Sequence, residues 1–225
     1  GFGGPAATKR PAGLKRRRPP RRGFSAPTVS DEPPTGYDEG PKHLTIVRYP
    51  HPALRRPNAE VEVFDGRLRQ LAENLFRSMY EETDPPGIGL AAPQVGVNVR
   101  VLVYNGMRMP EAENREGDTV FVNPRITAHS DDRDEAFECC LSFPKMEGPV
   151  IRPVWVEVEA VDLEGRPFKR RIEGEEARLF QHEYDHLDGV LYIDRMDEAD
   201  MPPVKKTLNK LKNEYTMGGG KQPAL

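Results

Sequence analysis

The chain has only two cysteines in 225 residues, and they are neighbours, Cys139 and Cys140. Adjacent cysteines seldom meet disulfide geometry, so no covalent framework staples this fold. The chain reads as an intracellular, reduced protein in which at least one thiol is available for chemistry. No apolar run approaches the length of a bilayer span, so no membrane insertion is expected. No internal repeat is visible either. Residues 1–30 contain no acid at all, against eight basic residues (Lys9, Arg10, Lys15, Arg16, Arg17, Arg18, Arg21 and Arg22). They also lack the apolar centre of a secretory signal. Eight of the 23 prolines lie at or before Pro41. An Arg-rich, acid-free, Pro-rich stretch of this kind predicts an unstructured leader, residues 1–42, resembling an organelle transit peptide. Without the leader's basic residues the chain keeps 25 basic against 36 acidic side chains. That balance argues against sequence-specific nucleic-acid binding.

The remaining length suits one sizeable domain. The stretch "DGRLRQLAENLFRSMYEET" (65–83) places Leu68, Leu71, Leu75 and Met79 on one face at helical spacing, with Asp65 as N-cap. It predicts an amphipathic helix packed on a sheet. Three prolines and three glycines in "DPPGIGLAAPQVG" (84–96) predict a loop. Strand-like runs follow at 99–104, 119–127, 154–161 and 167–172, the last two joined by the hairpin connection "DLEGR". A second helix is expected over 175–186 and a third, basic and opened by proline, over 202–217. Mixed or antiparallel strands with segregated helices predict an α+β fold around a central helix, with a C-terminal helix.

That central helix carries "QHEYDH" (Gln181–His186). His182 and His186, four apart, share one face and can present both imidazoles to a single ion. Glu183 sits one step round, where its carboxylate can take a proton from a polarised water. Two histidines leave a catalytic site one donor short. From spacing alone the third could be Cys139, Cys140, a carboxylate, or one of His43, His51 and His129. A thiolate would favour iron or zinc over magnesium or calcium. In "GIGLAAPQVG" (87–96) there is no Walker lysine and no GxGxxG. Its glycines could let backbone approach an extended peptide, and Gln94 could polarise a carbonyl; a plain structural turn reads equally well.

Taken together and in order, "GIGLAAPQ" (87–94), "ECCLS" (138–142) and "QHEYDH" (181–186) resemble the peptide deformylases, whose motifs read GφGφAAxQ, EGCLS and QHExDH. The resemblance runs over about residues 43–217, including "RYPHPALRRP" and "GVLYIDRM". It implies Cys140, His182 and His186 as metal ligands and Glu183 as general base and acid. It further implies Gln94 and the Leu141 N–H as oxyanion donors, Gly87, Ile88 and Gly89 along the substrate backbone, and Glu138 paired with Arg152 in support. One divalent ion is implied, Fe(II) physiologically, with Zn(II), Ni(II) or Co(II) as alternatives. The implied reaction removes the formyl group from N-terminal formylmethionine of nascent peptides and releases formate. The rival readings are a zincin-like protease and an inactive ribosome-associated module.

One position departs from the family pattern: Cys139 stands where the family has glycine. Were positive φ required there, a side chain would be strained, so the backbone is expected to tolerate a side chain, which also puts a spare thiol beside the ligand. The segments around Phe143–Pro144 and "ARLFQHEYDH" are similar to plant and algal organelle forms, the type 1B group. This implies a plastid stroma or mitochondrial matrix location. The last helix, with Lys205, Lys206, Lys210 and Lys212, could dock on ribosomal RNA near the exit tunnel or be a solvated charged face.

Overall fold

The computed structural model describes residues 43–82, 84–106 and 115–220. The expected leader, and residues 221–225 of the expected tail (218–225), lie outside the described residues. Chain order gives α1 (Gly66–Glu81), β1 (Gly89–Ala91), β2 (Val101–Asn105), β3 (Asp118–His129), β4 (Arg133–Cys139), β5 (Glu147–Pro153), β6 (Trp155–Val161), β7 (Pro167–Glu173), α2 (Gly174–Leu187) and α3 (Met201–Met217). Five strands form one antiparallel sheet in the order β1-β2-β3-β6-β7, and β4 and β5 form a separate two-stranded hairpin. Antiparallel sheets with three helices make this an α+β fold, as the sequence predicts.

Helix α1 begins where the sequence supplies a cap: the Asp65 carboxylate accepts the Arg67 N–H at 2.9 Å. Its Leu68, Leu75 and Met79 are buried against Leu90, Val101, Val103 and Val122, on one face of the large sheet. The opposite face of the same strands, through Leu102, Tyr104, Phe121, Val156 and Ile172, packs on Ala177, Phe180 and Leu187 of α2. Strand β2 is buried along its whole length because successive residues point to α1 and α2 in turn. Burial on both faces removes the polar alternation of a half-exposed strand, so "VLVYN" reads as one apolar run.

A third core lies around the hairpin. Phe143, Met146, Val150, Leu191, Tyr192 and Ile193 pack with Val204, Leu208 and Leu211 of α3. These last three recur at helical spacing and leave Lys205, Lys206 and Lys210 exposed. "PHPALRRP" forms a 3-10 turn, Pro52–Arg55, and the chain then makes a parallel bridge between Ala59 and Val99. Asn123, at φ 51° in an irregularity of β3, accepts from the Val61 N–H and donates to the Val61 carbonyl, at 2.8 and 2.9 Å. That side chain therefore takes the place of one strand residue for the incoming segment.

Two expectations are corrected. The stretch 84–96 is not all loop, because Gly89–Ala91 forms β1, the edge strand of the large sheet. Strand β5 gave no expected run, because Pro149 and Pro153 interrupt the pattern. A hairpin with no third strand tolerates prolines that a central strand would not.

Candidate metal centre

Two elements converge to make the site. Helix α2 has Glu175 and Glu176 in its first turn and His186 in its last, an order that suits the helix dipole. Its C-terminal end is tied down by side chains. Asn58 donates to the carbonyls of His186 and Leu187 at 3.2 and 2.9 Å, and Arg100 donates to Leu187 at 3.1 Å. Cys140 follows β4 directly. The turn it opens is closed by the Phe143 N–H on the Cys140 carbonyl at 2.8 Å and anchored by the Tyr49 N–H on Ser142 at 2.9 Å.

The donor atoms of Cys140, His182 and His186 all lie within 4.8 Å of one another, and all three residues are buried. Cys140 Sγ is 3.3 Å from His186 Nε2. A tetrahedral ion with bonds of about 2.3 Å to sulfur and about 2.0 Å to nitrogen separates such donors by roughly 3.5 Å. One soft and two borderline donors fit a transition-metal ion rather than magnesium or calcium. The other candidate donors are engaged elsewhere. Cys139 is exposed on β4 opposite Glu147, His51 accepts from the Ala53 N–H, His43 lies 3.4 Å from Glu82, and His129 Nδ1 is 3.0 Å from the Ser130 carbonyl. Positive φ at non-glycine residues among the described residues occurs at Asn123 and Lys145, so the Cys139 backbone carries its side chain without that strain.

His182 is oriented by its second nitrogen, which lies 2.8 Å from Glu138 Oε2. Arg152 holds Glu138 in a fork, Nε to Oε1 at 2.6 Å and Nη2 to Oε2 at 2.9 Å, and reaches Asp185 Oδ2 at 2.8 Å. Burial acts to push the Glu138 carboxyl up, but the hydrogen bonds from Arg152 and His182 outweigh it and hold it at about 2. Burial likewise opposes charge on His182, yet its bonds to Cys140 and Glu138 raise it well above the usual histidine range. His186 goes the other way: burial and the neighbouring positive charge hold it well below. A hollow of about 200 Å³ behind this network is lined by Arg152, Gln181, Asp185 and Arg195, and touches none of the three donors.

Glu183 is buried, and its Oε2 has no hydrogen-bond partner. Burial pushes its carboxyl up to about 7, with Glu138 adding to the rise and His182 opposing it. A carboxyl left neutral-poised and unsatisfied is suited to exchanging protons. Gly89 is what makes room for it, since a Cβ there would stand 2.5 Å from Glu183 Oε1 and 2.8 Å from Leu179 Cδ1. Gln94 is fully buried; its Oε1 accepts the Ala91 N–H at 2.7 Å, which turns Nε2 to within 3.4 Å of Cys140 Sγ. Leu141, next to Cys140, crowds Gly87, where a Cβ would lie 2.8 Å from its Cδ1. Ile88 sits between the two glycines, and its carbonyl accepts the Asn105 N–H at 2.9 Å. Sequence reasoning missed Arg178, which donates to Glu138 Oε1 at 2.9 Å. Its place four residues before His182, on the same helical face, was the available signal.

These features first define a class: an α+β protein with a buried cluster of three residues that could hold a metal ion and a buried carboxylate beside it. Residues 43–201 match the polypeptide deformylase family. The chain belongs to that family. It is 43% identical over 173 residues to peptide deformylase 1B, chloroplastic/mitochondrial, of Arabidopsis thaliana, a match covering 76% of this chain and 61% of the relative. The chain thus spans less than two thirds of that relative's length. Against peptide deformylase 1B, chloroplastic, of Solanum lycopersicum it is 40% identical over 212 residues, covering 93% of this chain and 74% of the relative. A crystal structure of a plant peptide deformylase of type 1B superposes with a TM-score of 0.75 at 41% identity, covering 82% of this chain and 97% of the other. One from Plasmodium falciparum gives 0.74 at 39% identity, covering 79% and 100%.

Proposed function

We propose that this chain hydrolyses the N-formyl group of N-terminal formylmethionine on nascent polypeptides, releasing formate and a free amine. The observation that carries the reading is the buried Cys140–His182–His186 cluster with the buried Glu183 carboxylate, its Oε2 without a partner, beside it. Cys140, His182 and His186 would hold one divalent ion. When bound, such an ion supplies Lewis acidity, acidifying water and polarising a carbonyl. Glu183 accepts a proton from the attacking water and returns it to the departing amine. Gln94 Nε2 and the Leu141 N–H face the oxygen on which negative charge develops. Strand β1, which starts at Gly89, lies at the edge of the large sheet, and with Gly87 and Ile88 before it would pair with an extended peptide. A formyl carbon bears only hydrogen, so a tight site here admits it and excludes ordinary peptide bonds.

Several finer assignments belong to the same reading. The thiolate and two imidazoles suit Fe(II), Zn(II), Ni(II) or Co(II) alike; Fe(II) is the physiological ion in this reading, with metal supply and oxygen exposure deciding which one is bound. Residues 43–217 are the catalytic unit, residues 1–42 serve as a transit peptide, and residues 218–225 form a tail. Basic, acid-free residues 1–30 and the organelle names of the plant relatives support action in the plastid stroma or mitochondrial matrix. No described helix is long and apolar enough to cross a membrane. Lys205, Lys206, Lys210 and Lys212 on α3 offer a basic face for ribosomal RNA near the exit tunnel. The test is formate release from formyl-Met-Ala against N-acetylated Met-Ala. Turnover of the formyl peptide alone supports the reading; cleavage of internal peptide bonds alone, as a protease of the zincin type would give, sinks it.

A further inference from the structure

We propose that Arg178 is a positioning residue that sets the ligand-bearing hairpin against the ligand-bearing helix. The three donors come from two elements that share no sheet. Cys140 stands at the end of β4 in the two-stranded hairpin, and both histidines lie on α2. The spacing of the sulfur from the two imidazoles therefore depends on what ties hairpin to helix.

Two arginines do this in opposite directions. Arg152 starts from β5 and reaches Asp185 on α2 and Glu138 on β4. Arg178 starts from α2 and reaches both strands of the hairpin. Its Nη1 donates to Glu138 Oε1 at 2.9 Å and to the Val150 carbonyl at 2.7 Å. Its Nη2 donates to the Asp134 carbonyl at 2.9 Å and to Asp134 Oδ1 at 2.8 Å. Positions 178, 182 and 186 recur every four residues and form one stripe along α2. The second and third members supply the imidazoles, and the first grips the hairpin one turn earlier. The Arg178 side chain is only 13% exposed, so its bonds to Glu138 and Val150 are partly shielded from water, while those to Asp134 lie at the exposed end.

Arg178 does not duplicate Arg152. Without it Glu138 keeps both bonds from Arg152 and the contact with His182, so the carboxylate stays charged and the His182 ring stays oriented. What is lost is the tie from the helix to Asp134 and Val150, and with it the fixed approach of Cys140. A lysine cannot replace the fork, because a single ammonium does not reach acceptors on both strands in one plane.

The inference rests on the reading that Cys140, His182 and His186 hold the ion, and the experiment separates the two. Co(II) is loaded into the full chain and into Arg178→Met, Arg178→Lys, Asp134→Ala, Cys140→Ser and the exposed control Arg166→Met. Release of Co(II) to a chelator, the visible Co(II) spectrum and thermal unfolding of the metal-free protein are measured. Arg178→Met is expected to release Co(II) about 10–100-fold faster, with altered ligand-field bands. Arg178→Lys is expected to remain at least about fivefold faster than the parent. Asp134→Ala removes one bond at the exposed end of the clamp, and about twofold to fivefold faster release is expected. Should Arg178→Met fail to fold, the lysine and Asp134 variants carry the same test. Parent-like release and an unchanged spectrum in the folded Arg178 variants overturn the inference, whatever their melting temperatures. An unchanged spectrum in Cys140→Ser would instead overturn the assignment of the site itself.

Discussion

Replacing Glu138 by glutamine keeps the size and shape of the side chain and removes its charge. The carboxylate takes four donors: Arg152 Nε and Nη2 at 2.6 and 2.9 Å, Arg178 Nη1 at 2.9 Å and His182 Nδ1 at 2.8 Å. A glutamine offers one accepting oxygen, and its NH2 must face one of those donors. Two routes give the magnitude. Removing one partner of a buried ion pair costs about 3–5 kcal/mol. A carboxyl carried from 4.5 when unfolded to about 2 when folded is worth about 3 kcal/mol, at about 1.4 kcal/mol per pH unit. Because the folded value is depressed, that stabilisation is complete above pH 4.5 and drains away as pH falls towards about 2. Urea unfolding of the metal-free proteins at pH 7 should therefore place Glu138→Gln about 3 kcal/mol below the parent. With a slope of about 2 kcal/mol/M the midpoint drops by about 1.5 M. The gap should narrow in acid below pH 4.5. A deficit under about 1 kcal/mol at pH 7, or one that does not narrow in acid, would refute the reasoning.

Three further outcomes are expected. Gly89→Ala should cut turnover strongly while costing about 1–3 kcal/mol of stability, because its Cβ would displace Glu183 Oε1 from 2.5 Å; steady-state kinetics beside thermal melts check it. Tyr192→Phe should leave stability unchanged or raise it by about 1 kcal/mol, since the buried Tyr192 hydroxyl has no partner to lose; a clear destabilisation in urea would contradict this. Metal retention should weaken as pH falls, because the raised pKa of His182 makes a proton compete with the ion, and dialysis at graded pH followed by metal analysis reads it directly.

Much of the fold was legible where a local cause also decides the structure. Helix α1 was placed by its Asp65 cap and the Leu68–Leu75–Met79 face, and it ends two residues before the expected 83. Helix α2, expected over 175–186, runs from Gly174 to Leu187, and α3, expected over 202–217, runs from Met201 to Met217. Strand β1 was hidden because three residues with a glycine among them show no period, and only pairing to β2 makes them a strand. The site was half legible. Spacing found His182, Glu183 and His186 but left both thiols open, and only the resemblance preferred Cys140. Chain geometry explains the contrast between them, because alternate β4 residues face opposite sides: Cys139 points outward, and Cys140 turns in as the strand ends. Arg178 and its partners Asp134 and Val150 lie 28 to 44 positions apart along the chain. No periodic pattern reports a contact of that separation.

The most direct test of the account is Glu183→Gln, loaded with Co(II) and compared with the parent for bound metal and for formate release from formyl-Met-Ala. The account predicts one ion per chain in both proteins and a loss of formate release of about 10²–10⁴-fold in the variant. A variant that holds its metal and still releases formate at the parent rate would contradict it.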